Sequence, residues 1–269
     1  MAPTTEPFET APWRRALAQI AGLASGPPLA DDLDVTLHFH PDRPAGELLQ
    51  LSPGTHPPRY EAGTTNTGLT AHPGDDRVRW EHSMFAGAYD RASSAQRPKY
   101  GSLNHHRHPA GGSPRFGSAH LRLARQTLRR TTFSYPGGTD LTAVATAEHM
   151  PLIASADSDH HIEAHVHGAL RLNRDIEAVV LDPSYRGTEI ETAAAALPFP
   201  TEWHDGFRLH VDQLGGDELT NLIAVDGWLD ARIIGDAVRA GRYDAEALDG
   251  LWHCVAKHGY LGPDLRENI

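Results

Sequence analysis

Apolar residues recur at helical spacing at Trp13, Ala16, Leu17, Ile20 and Leu23, and Gly26-Pro27-Pro28 stops the pattern. This predicts one short helix at the start of the chain. Over residues 35–40 the period switches to two. Val35, Leu37 and Phe39 share one face of an expected strand, Thr36, His38 and His40 share the other, and Pro41 ends it. Residues 54–76 are rich in Gly, Pro, Thr and Asn with no sustained period and read as loop. A helix is expected over 77–89, loop over 93–114, and strands over 116–123 and 131–135. The run 161–167 alternates cleanly, and 176–181 reads as a more buried strand after a short link, so the two are expected to be sheet neighbours. After Asp182-Pro183 the chain turns alanine-rich, with helical patterns over 189–197, 218–226, 229–240 and 244–258.

These elements predict an α+β fold with a mixed or antiparallel sheet core, an N-terminal helix and a helical C-terminal region. The expected division is an N-terminal helical segment (1–30), a strand-rich catalytic core (31–184) and a helical part (185–269). At 269 residues, with 39% hydrophobic and 7% aromatic positions, the chain is long enough to bury a real core. A net charge of −11 argues against long-range attraction to nucleic-acid phosphates. The single cysteine, Cys254, allows no internal disulfide and no cysteine-rich metal site. Residues 1–10 lack the basic and apolar pattern of a secretory signal, and no apolar run approaches the roughly 18 residues of a membrane span. A cytoplasmic protein without membrane contact is the expectation.

The chain holds 18 histidines. His38 and His40, and again His165 and His167, are spaced two apart in extended segments, so each pair points to one side of its strand, with Glu163 on the His165 face. Imidazoles so spaced beside a carboxylate can ligate zinc or iron, and a metal-dependent hydrolase would draw on His38, His40, Glu163, His165 and His167. The plainer alternative is a polar strand face meeting solvent. The blocks at 63–68, 100–104 and 115–120 set glycines beside Thr, Asn, Tyr and Phe, where backbone could approach a ligand closely, or could simply turn. None is a phosphate loop or a dinucleotide fingerprint, and no Gly-x-Ser-x-Gly elbow occurs. A non-enzymatic binding module is the third alternative.

Taken together, LHFHPDR (37–43), YEAGTTNTGLTAHPG (60–74), KYGSLN (99–104), PRFGSAHL (114–121) and IEAHVHG (162–168) resemble an uncharacterised bacterial family classed as a domain of unknown function. Their order is more distantly similar to ADP-ribosyltransferases of the His-Tyr-Glu kind, with HFHPD standing where the polymerases of that class carry His-Gly-Thr or His-Gly-Ser. The resemblance implies the ADP-ribosyltransferase fold and NAD as the substrate cofactor, the acceptor being a protein, a nucleic acid or a small molecule. It implies that His40 and Tyr100 serve catalysis together with Glu163, the acid that acts on the ribose. NAD contacts would come from His38 and Arg43, from Thr64 and Thr65, and from Gly101, Phe116, Gly117 and Ser118, with no metal required.

Overall fold

A computed structural model describes residues 11–42, 76–93, 96–135, 143–155, 161–215 and 218–263. The protein is α+β. Its strands are β1 (Val35–Phe39), β2 (Lys99–Leu103), β3 (Ala119–Leu123), β4 (Thr131–Ser134), β5 (Val144–Thr146), β6 (Glu163–Val166), β7 (Ile176–Leu181), β8 (Thr201–Trp203), β9 (Arg208–His210) and β10 (Trp228–Asp230). The chain forms two compact units, each assembled from separate stretches: 1–35, 59–105 and 124–171 in one, and 36–58, 106–123 and 172–269 in the other.

In the first unit the strands run in the order β5-β4-β6-β2, all antiparallel. The register sets Tyr100 opposite His165 and Ser102 opposite Glu163 on one side of β6, and Thr132 opposite His165 and Ser134 opposite Glu163 on the other. Partners in an antiparallel pair point to the same face, so these six side chains share one surface of the sheet. Helix Pro12–Leu23 starts with Pro12 in its first turn, where the missing N–H costs nothing. Its Ala16 and Ile20 join Trp80, Met84, Phe85, Ala88, Tyr89 and Val144 in one apolar cluster. Helix Asp76–Met84 is shorter than the expected 77–89, because Ala86 and Gly87 both take positive φ and the chain continues in turns.

In the second unit β1, β3 and β7 are antiparallel neighbours from Thr36 onward, and β8 pairs parallel to β7 after a crossover through helix Glu189–Ala195. β9 and β10 form a separate antiparallel pair. Strands 161–167 and 176–181 are therefore not sheet neighbours: β6 pairs with β2 and β4, whereas β7 pairs with β3 and β8. The expected loop over 93–114 contains β2, and the expected strand over 116–123 begins only at Ala119, because Pro114 opens a 3₁₀ turn. The region expected to be helical beyond 185 also holds β8, β9 and β10. Leu229 is drawn into pairing with Leu209, which delays the helix to Ala231–Ala240, capped by Asp230 on the Ile233 N–H.

Two glycines of the second unit are required by close approach. A Cβ on Gly117 would sit 2.3 Å from the Phe39 carbonyl oxygen, and one on Gly235 would sit 1.3 Å from Oδ2 of the buried Asp42. In an exposed helix Gly→Ala stabilises by about 0.5–1 kcal/mol. Gly235→Ala is expected to do the reverse and cost about 1–3 kcal/mol through overpacking, because Asp42 must leave its site. Urea unfolding of the two proteins checks this, and a neutral or stabilised variant would contradict the packing.

Candidate functional site

Glu163 stands at the first position of β6, its side chain 12% exposed and its Oε2 3.5 Å from His165 Nε2. His165 Nδ1 lies 3.1 Å from Thr132 Oγ1, which in turn lies 3.0 Å from His167 Nε2. His167 Nδ1 is 2.6 Å from the Tyr89 hydroxyl. His165, His167 and Thr132 are fully buried. Aromatic rings wall them in: Trp80, Phe85 and Tyr100 lie 5.1–5.6 Å from His165, and Phe85 and Tyr89 lie 5.2 and 6.0 Å from His167. Burial holds the His167 ring well below the usual imidazole range, with His165, Arg130 and Lys99 adding to it, and burial pushes the Tyr89 phenol well up, with Glu81 adding to it. Lys99, brought down to about 8 by burial and then by Arg130, donates to the Arg97 and Gly168 carbonyls.

A second acid of this unit is enclosed. Glu81 pairs with Arg97 and accepts from the Tyr100 hydroxyl at 2.6 Å, so the half-buried Tyr100 ring is held edge-on to His165. Gly101 sits opposite Ala164 in the β2–β6 ladder. Ser134, opposite Glu163 on β4, is buried and its Oγ has no hydrogen-bond partner among the described residues. A cavity of about 540 Å³ elsewhere in this unit is lined by residues including Leu17, Pro28, Arg125 and Arg129, and neither Glu163 nor Tyr100 lines it.

In the second unit His38 is buried on β1. The Ser113 N–H donates to its Nε2 at 3.1 Å, which assigns the proton to Nδ1, 3.3 Å from the Gly117 carbonyl. His204 Nε2 donates to the next carbonyl, Ser118, at 3.0 Å, while its Nδ1 accepts from the Gly206 N–H. Two imidazoles thus pin consecutive backbone carbonyls of the PRFGSAHL block. Ser118 Oγ lies 3.3 Å from the Tyr185 hydroxyl, which donates to Asp42 Oδ2 at 2.8 Å. The His120 ring lies tilted 5.2 Å from that of His38, and burial first, then the neighbouring basic side chains, holds it well below the usual imidazole range. His40, half-buried, meets the edge of Trp252, and the Arg115 guanidinium covers Phe116.

Among the sites expected from sequence, Glu163, Tyr100 and Gly101 are gathered on paired strands of the first unit. His38, His40, Phe116, Gly117 and Ser118 belong to the second. Arg43, Thr64 and Thr65 lie outside the described residues, as does the whole 63–68 block. Both His38 and Thr36 are buried, so the polar side of β1 does not face solvent. No group of three or more His, Cys, Asp or Glu side chains is arranged to hold a metal ion among the described residues. No helix among them is long and apolar enough to cross a membrane. Sequence reading missed Thr132, Tyr89, Glu81 and Arg97. The alternation of Thr132 and Ser134 around Phe133 was the available signal for the first.

No curated protein matches the chain. Two overlapping stretches, 34–148 and 139–253, match the family described as "Protein of unknown function (DUF3626)", which takes in the blocks from LHFHPDR to IEAHVHG, and the chain belongs to that family.

Proposed function

We propose that the protein is an NAD-dependent ADP-ribosyltransferase or NAD glycohydrolase that breaks the bond between nicotinamide and ribose. The observation that carries this reading is the setting of Glu163. A carboxylate with slight solvent access begins a strand, shares a sheet face with Tyr100 and Ser102 on the neighbouring β2, and is backed by a buried imidazole. That is the order of the tyrosine and glutamate elements in the His-Tyr-Glu transferases the sequence resembles.

The electron pair of the glycosidic C–N bond leaves with nicotinamide, and positive charge develops on the ribose. A fixed carboxylate beneath the sugar stabilises that charge more in the transition state than in bound NAD. Water or an acceptor nucleophile then adds to the ribose carbon and releases its proton. Tyr100, locked by Glu81, offers a rigid ring edge to the nicotinamide side of the site. A cytoplasmic setting, where NAD is abundant, accords with a chain of one cysteine.

Incubation of the full chain with NAD is expected to release nicotinamide, followed by chromatography, with NAD binding in the micromolar to millimolar range typical of enzyme substrates. No binding by calorimetry and no release with protein, nucleic-acid or water acceptors would refute the assignment.

A further inference from the structure

We infer that Tyr89, His167, Thr132 and His165 form a one-directional hydrogen-bond chain that orients Glu163 as a carboxylate, which makes them positioning residues for that acid. Its catalytic consequence rests on the role proposed for Glu163; the chain itself does not.

The direction follows from counting protons. The Tyr89 hydroxyl has no hydrogen-bond partner among the described residues other than His167 Nδ1, so its proton points there and Nδ1 accepts. A neutral imidazole carries one N–H, which therefore sits on Nε2 and donates to Thr132 Oγ1. The single hydroxyl proton of Thr132 then serves its other partner, His165 Nδ1. The proton of His165 is left on Nε2, aimed at Glu163 Oε2 across the longest link, 3.5 Å. Running every bond the other way would leave the Tyr89 proton buried without an acceptor, at a cost of about 1–3 kcal/mol. Each donor in the forward arrangement polarises the next, and the dry aromatic walls keep the effect from being screened by water.

The same chemistry stops the chain from conducting protons. Moving each proton one link toward Glu163 would leave a tyrosinate at Tyr89, which burial beside Glu81 strongly disfavours. The chain is a fixed dipole whose last N–H is aimed at the Glu163 carboxyl oxygen. The backbone just after β6 is pinned to match: the Arg130 guanidinium donates to the His167 carbonyl, and Lys99 Nζ donates to the Gly168 carbonyl.

Nitrogen-15 NMR of the histidine-labelled full chain at pH 7.5 reads the tautomers directly, without NAD. His165 and His167 should both be neutral with the proton on Nε2. Thr132→Val, equal in volume but lacking the hydroxyl, should shift both rings, and Thr132→Ser should not. Should the valine variant fail to fold, Tyr89→Phe supplies the same reading through loss of the His167 pattern. With NAD, Thr132→Val should lower kcat about tenfold at unchanged KM, and Thr132→Ser should restore it. A charged ring, or a proton on Nδ1 of either histidine in the wild-type protein, overturns the inference, as does equal kcat in the valine and serine variants. Correct tautomers in a wild-type protein that releases no nicotinamide uphold the chain and defeat the NAD reading instead.

Discussion

Glu163→Gln is expected to lower nicotinamide release from NAD by about 10²–10³-fold, with KM for NAD and the unfolding free energy little changed. That size is the usual loss when one preorganised electrostatic group is removed from an active site. Glutamine keeps the volume of glutamate and retains a carbonyl oxygen to accept from His165 Nε2, so the sheet and the buried chain behind it stay intact. On the proposed NAD reading it removes the negative charge beneath the ribose, a charge worth most when the sugar turns cationic, which places the expected loss in kcat. Steady-state kinetics and a urea unfolding curve on the same preparations separate the two effects. A variant as fast as the wild-type protein would remove Glu163 from the chemistry. A slow variant that is also several kcal/mol less stable would make it a structural residue.

The partners behind Glu163 were not legible in the sequence, although its place on an alternating strand was. Alternation over 161–167 placed Glu163, His165 and His167 on one face, and the structure keeps them there. Thr132 is 33 residues from His165, and Tyr89 is 78 from His167; pairings over such distances are set by register and packing, which no local period records. β7 could be read to the residue because Ile176 and the apolar run 178–181, bounded by Asp175 and Asp182 and broken only at the exposed Glu177, make a strong local signal. Helix Ala245–His258 was as plain, with Asp244 as its cap and Leu248, Leu251, Trp252 and Val255 buried on one side. β2 resembled a loop because Lys99, Gly101 and Ser102 carry little strand propensity and Tyr100 alone does not offset them, and pairing with β6 overrides this. β8, β9 and β10 are three residues each, too short to show a period. The assumption that β6 and β7 pair failed because nearness in sequence is a weak guide once each strand has two better partners elsewhere.

Lowering the pH from 7.5 to 5.5 is expected to remove about 3 kcal/mol of folding free energy. His120, His167 and His204 are buried, and burial holds each below the imidazole value of 6.5, the first two far below. Near pH 6 an unfolded chain would protonate all three, whereas the folded protein cannot, so the unfolded state binds more protons and stability falls with pH. A folded pKa below the unfolded one leaves the contribution intact above about 6.5 and loses it progressively below. Each group supplies up to about 1.36 kcal/mol per pH unit, which for His120 and His167 gives about 3, and His204, whose shift the Asp182 and Asp205 carboxylates oppose, adds less. Asp230, raised by burial, acts in the opposite sense but only nearer the carboxylate range, so it offsets little of this window. Two of the three imidazoles belong to the unit that carries the PRFGSAHL block, so more than half of the slope belongs there if the units unfold separately. Urea titrations at pH 7.5, 6.5 and 5.5 measure the slope, and a flat profile would mean these rings are protonated or solvated in the folded protein. His204→Asn, which keeps a donor and an acceptor for the Ser118 carbonyl and the Gly206 N–H but cannot titrate, should reduce the slope by a fraction of a proton even where it lowers stability overall.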